Sequence, residues 1–215
     1  MPRGMPPLSA GFRSEIEAAL ALAAAAELAM TGSPSRSALR KEWHVSRVEM
    51  LYELAYLRLF IEWEAFLEQT FYRYMCGYKS SCHNPTPTTN LGSFCASVRK
   101  AEAIILNGRS YVLWHSPKVI TDRAKRWLST CPHEVTIASY QADLEHYAAV
   151  RHRIAHGQDD AKVKFDSATM ALVGRRYRGA RPGRFLRDWD SSVVPQVRWL
   201  ESLGKALSNL AAQIA

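Results

Sequence analysis

No apolar run in this chain approaches the roughly 18 residues that a membrane-spanning helix requires, so the sequence offers no candidate for one and no membrane partner is expected. Cysteine is sparse. Cys76, Cys82, Cys95 and Cys131 form no CxxC pair and follow no regular spacing, which argues against both a disulfide framework and a zinc ribbon and fits reduced thiols in a cytoplasmic protein. No segment repeats, and no long polar run suggests disorder. The Ala/Leu run at 18–29 lacks the cationic flank of a signal peptide, because Glu15 and Glu17 offset Arg3 and Arg13. Acidic residues are scarce in one place in particular. Between Arg151 and Arg187 there are ten Lys/Arg against three Asp, an excess of seven in a chain whose net charge is +8. Such a segment favours a polyanionic partner, nucleic acid before membrane.

What is present reads as helix. Hydrophobic residues make up 47% of 215 positions, enough for a single domain (1–215) that buries roughly 70% of its unfolded surface. Ser14 and Glu17 form a capping-box pattern that predicts a helix ending at Thr31-Gly32. Proline and glycine are missing from Ser37 to Cys76, where Val48, Leu51, Ala55, Leu59, Trp63, Phe66 and Thr70 recur at steps of three and four. A second row, Phe60, Leu67 and Phe71, makes this long helix the central member of a bundle. Further helices are expected over "FCASVRKAEAIIL", from Ser116-Pro117 to about Ser129, from Pro132 to a stop at Gly157, and from near Pro195 to the end. "YVLWH" resembles a short strand, and β-like runs around Gly174 suggest a small hairpin inserted at about 160–190. The expected fold is all-α, an up-and-down helical bundle with this small β insertion.

The chemistry concentrates in "RHRIAHG", 151–157. Arg151 falls on the row of Tyr140, Leu144 and Tyr147, which points a guanidinium inward, and an inward charge needs a partner or a use. Glu64 lies on the row of Phe60 and Leu67 and is a candidate partner for Arg151 across packed helices. His152 and His156, four apart, share a helix face. The same spacing serves zinc, but position 153 is Arg153 rather than Glu and no third ligand is evident, so neither metal nor cofactor is expected. His156 stands about 140° from Arg151 on a regular helix, and a last turn loosened at Gly157 would carry it toward the groove that Arg151 faces. Cleavage of RNA through its 2′-hydroxyl needs a base, a cation on the phosphate and an acid for the leaving oxygen, roles that histidine and arginine fill without a metal.

Arg151, four intervening residues and His156 match the R-x(4–6)-H motif of the HEPN superfamily, with His152 in the polar position that follows the arginine. "RHRIAHG" on a late helix and "EWEAFLE" on a long earlier one resemble the RiboL-PSP and related branches. The resemblance implies a helical bundle that forms a homodimer with two motifs facing a shared cleft, and a metal-independent endoribonuclease of a toxin–antitoxin or other defence system. It implies that Arg151 and His156 are catalytic, that His152 orients them or contacts phosphate, and that Glu64 assists. An antitoxin or other regulatory protein is an expected partner. RNA would lie on Arg153, Lys162, Lys164, Arg175, Arg176 and Arg178. Inactive members of the superfamily imply the alternative of a non-catalytic module that binds RNA or a protein.

Overall fold

The computed structural model describes residues 3–32, 42–80, 82 and 87–215. Nine α-helices and two two-stranded antiparallel sheets occur among them. The helices are α1 Leu8–Gly32, α2 Val45–Met75, α3 Val98–Leu106, α4 Pro117–Trp127, α5 Pro132–Ser139, α6 Gln141–Ala155, α7 Asp159–Val173, α8 Pro182–Arg187 and α9 Trp199–Ile214. Strand β1 (Thr88–Thr89) pairs with β2 (Leu128–Ser129), and β3 (Trp189–Asp190) with β4 (Val197–Arg198). The fold is therefore a mostly α-helical bundle with a small β component, and no described helix is long and apolar enough to cross a membrane. No disulfide joins the four cysteines, all of which are among the described residues. The chain groups into two compact units, one of Met1–Phe12, Glu62–Glu145 and Ser208–Ala215, the other of Arg13–Ile61 and His146–Leu207.

In the first unit the core is aromatic. Phe12 packs on Trp63 and Phe66, and Phe71 meets Trp114 and the ring of His133. His133 is completely buried, with Nε2 within 2.9 Å of Thr70 Oγ1 and 3.1 Å of the Leu67 carbonyl. Burial pushes its pKa down to about 4. Ser97 caps α3 by accepting from the Lys100 amide, and Asn107 and Gly108, which end it, both take left-handed backbone.

In the second unit, Ile16 of α1 and Leu59 of α2 close on Gly204 of α9, where an added Cβ would stand 3.0 Å from Ile16 and 3.3 Å from Leu59. The Tyr56 hydroxyl donates to the Tyr147 carbonyl and so ties α2 to α6. Phe185 of α8 meets Phe165 of α7 and stacks on Trp199 of α9.

Several local expectations change. Helix α1 begins at Leu8 rather than Ser14, because Pro6 and Pro7 set the start and the Gly11 amide bonds to the Pro7 carbonyl; Ser14 and Glu17 lie within the helix. The helix expected to run unbroken from Ser37 instead begins at Val45, after non-helical Trp43 and His44, with the Val48 amide bonded to the His44 carbonyl; the predicted start at Ser37 lies outside the described residues, as does part of the loop at 79–90. "YVLWH" is not a strand; it is an irregular segment anchored by Trp114, whose indole donates to Glu68 at 3.0 Å. The segment after Pro132 is two helices, broken at exposed Tyr140. Residues 159–173, expected to contain β-like runs, are helix α7. Ala161, Phe165, Ala168 and Thr169 are buried at helical spacing, and left-handed Gly174 ends the helix. The small hairpin before the last helix exists, but at 189–198. Asp190 pins its turn by accepting from the Ser192 amide and from the Ser192 and Ser202 hydroxyls.

Candidate functional site

Helix α6 buries Leu144, Tyr147 and Val150, so Val150 takes the fully buried place on the inner row and Arg151 beside it is half-buried. The chain leaves the helix at Ala155, yet the His156 amide still bonds to the His152 carbonyl at 2.9 Å. The last turn therefore does not loosen as expected, and Gly157 does not adopt left-handed backbone. Helical register holds His156 over His152, ring centroids 4.6 Å apart and planes inclined at 51°. His156 is exposed and His152 partly so. The His152 pKa is lowered, first by burial and then by the positive neighbours His156 and Lys164, with Arg151 adding and Asp160 opposing. The environment thus favours a neutral imidazole, the form that accepts a proton.

Arg153 also makes contacts within the fold. Its Nε donates to the Ala180 carbonyl at 3.2 Å and its Nη1 to the His156 carbonyl at 3.5 Å, which fastens the end of α6 to the loop after α7. Lys162 and Lys164 sit exposed on α7, with Lys164 paired to Asp160 at 2.8 Å.

Arg175, Arg176 and Arg178 share a groove of about 760 Å³ with Arg181, Arg184, Arg187 and Arg198. The loop that carries the first three is shaped by left-handed Gly174, Gly179 and Ala180. Its anchor is Tyr177, which is buried against Phe185 and donates its hydroxyl to Asp188 at 2.6 Å. Below it, Pro182 opens α8 and Gly183 lies so close to α2 that a Cβ there would stand 2.3 Å from the Glu49 carbonyl oxygen. The Gly183 amide donates to Glu53 at 2.8 Å; burial nevertheless holds that carboxyl above its usual range. The expected RNA contacts therefore separate, three lining the groove while Arg153, Lys162 and Lys164 do not.

Glu64 belongs to the first unit, where it faces His115 Nδ1 at 3.6 Å. The four further groove arginines were visible in "RGARPGRFLR" and in Arg198 only as charge; that they line one cavity depends on the Gly183 approach and on the turn through β3 and β4. Among the described residues no group of three or more His, Cys, Asp or Glu converges as a metal-ligand set. Comparison of the chain with family models, with curated proteins and with solved structures finds no match.

Proposed function

We propose that the chain is a HEPN-type endoribonuclease that cleaves RNA through the 2′-hydroxyl without a metal, acting as a homodimer in a toxin–antitoxin or other defence setting. The observation that carries this reading is the pair of imidazoles in contact at the exposed end of α6, 4.6 Å apart and inclined at 51°, on the turn that also carries Arg151. One histidine takes the 2′-hydroxyl proton and the other protonates the leaving 5′-oxygen. The Arg151 guanidinium, permanently charged and able to bond two phosphate oxygens at once, stabilises the charge that builds in the transition state. His152, biased toward its neutral form, suits the base. Glu64 enters through the resemblance alone.

The test is incubation of end-labelled structured RNA with the protein in EDTA, beside His156→Ala and Arg151→Ala. The expected result is fragments ending in 2′,3′-cyclic phosphate from the wild type only, with both variants folded. Cleavage that survives both changes removes the motif from the mechanism. A second reading, a module that binds RNA without cutting it, is favoured by the arginine groove, whose lining contains no histidine. It predicts salt-sensitive retention of RNA and no products.

A further inference from the structure

The groove of the second unit is lined by seven arginines and only two carboxylates, Glu49 and Asp188. Four of the arginines are fixed in place. Arg175 pairs with Asp188, Arg181 pairs with Glu49, and Arg187 grips Glu27 through Nε at 2.5 Å and Nη2 at 3.1 Å. Arg198 donates to the Arg187 carbonyl at 2.7 Å and lies 3.8 Å from the centre of the Trp189 ring. Each guanidinium has five N–H groups, so a pair with one carboxylate leaves donors to spare. The other three, Arg176, Arg178 and Arg184, are exposed and have no ion pair among the described residues. Like charges held in one concavity repel, and an anion of matching charge density removes that cost.

The shape of the lining selects among anions. Single-stranded RNA held along its length uses aromatic faces on which successive bases stack. The lining offers no free aromatic face: Tyr177 is buried, with its hydroxyl committed to Asp188 and Phe185 against its ring, and exposed Trp189 at the edge has one face covered by Arg198. What it presents is a dense set of planar, bidentate donors around a single cavity, which fits closely spaced phosphate oxygens.

We propose that this groove binds a compact oligophosphate, two or three adjacent phosphates carried on the 5′ end of an RNA or on a free nucleotide. The site does not depend on the nuclease reading, since it contains neither Arg151 nor the histidines. The probe is inorganic tripolyphosphate, titrated calorimetrically into the full chain beside the triple variant Arg176→Gln/Arg178→Gln/Arg184→Gln. Wild type should bind it more tightly than monophosphate, with affinity falling about tenfold or more when salt is raised from about 50 to about 200 mM. The variant should lose at least about tenfold in affinity with an unchanged thermal melt, because none of the three side chains holds the fold. A second variant with lysine at the same three positions keeps the charge and should recover part of the loss. A 5′-triphosphate RNA, its 5′-hydroxyl counterpart and a nucleoside triphosphate then separate the sources. Preference for the first assigns the RNA end, and preference for the last assigns the nucleotide. Equal binding of the two RNAs and of the nucleoside triphosphate, equally tight binding of a polyglutamate peptide, or wild-type affinity in the glutamine variant overturns the proposal. Loss of cleavage in His156→Ala with tripolyphosphate binding intact leaves the two readings separately decided.

Discussion

A histidine in the last turn of a helix ordinarily gains from being charged, since its cation suits the helix dipole. His152 departs from this because it is partly buried and stands among His156, Lys164 and Arg151, all of which disfavour its protonated form. If it serves as the base, the acid limb of the cleavage rate against pH lies below the ordinary histidine midpoint. Replacing Lys164 with glutamine, which removes one of those positive neighbours, should move that limb upward; an unmoved limb would assign the base elsewhere. His133 shows the same physics without the chemistry. Its folded pKa is depressed, so unfolding takes up a proton as pH falls. The stability it contributes is complete above the ordinary histidine value and is lost as pH falls from there to about 4. From the cited shift this amounts to on the order of 3 kcal/mol. Urea midpoints measured at neutral pH and near pH 4.5 should differ less in His133→Gln than in wild type. The His152 and His156 spacing was legible in the sequence, since i and i+4 share a helix face. The role of His133 was not, because nothing local shows that Thr70 and the Leu67 carbonyl come to meet it.

At the scale of elements, glycine and proline did much of the placing, but not always as punctuation. Gly174 ends α7 with left-handed backbone, whereas Gly157 ends nothing by conformation. Gly183 acts through space: helix α8 sits against the backbone of α2 because no Cβ intervenes. Gly183→Ala should destabilise the protein by about 1–3 kcal/mol, read as a lower thermal midpoint, since the neighbouring atom is a main-chain carbonyl that does not yield easily. The same change should weaken tripolyphosphate binding, because α8 carries Arg184 and Arg187. A variant that melts and binds like wild type would show that α8 is not held by this contact. Helix α7 was misread for an identifiable reason. Its β-branched and apolar residues look strand-like one by one, while the buried set Ala161, Phe165, Ala168 and Thr169 has helical spacing. The break at Tyr140 had no glycine or proline to announce it.

For the whole molecule, charge is the property most easily read and least easily placed. The excess from Arg151 to Arg187 predicts that retention of a 5′-hydroxyl RNA weakens at least about tenfold between about 50 and about 200 mM salt, measurable by filter binding. Salt-independent affinity would remove the RNA backbone as a ligand. The helical class, the long α2 with two buried rows, and the histidine pair followed from the sequence alone, because 3.6-residue periodicity and i, i+4 spacing are local rules that tertiary packing here left intact. Which arginines share a cavity was decided only by tertiary structure. Arg153 is drawn into the bond to Ala180, while Arg198, turned back by the β3–β4 hairpin, joins the groove. That outcome depends on a close approach at Gly183, on carboxylates of Glu27, Glu49 and Asp188 supplied by other segments, and on a hairpin closed through Asp190. These are contacts between residues twelve or more positions apart, beyond the reach of helical or strand periodicity.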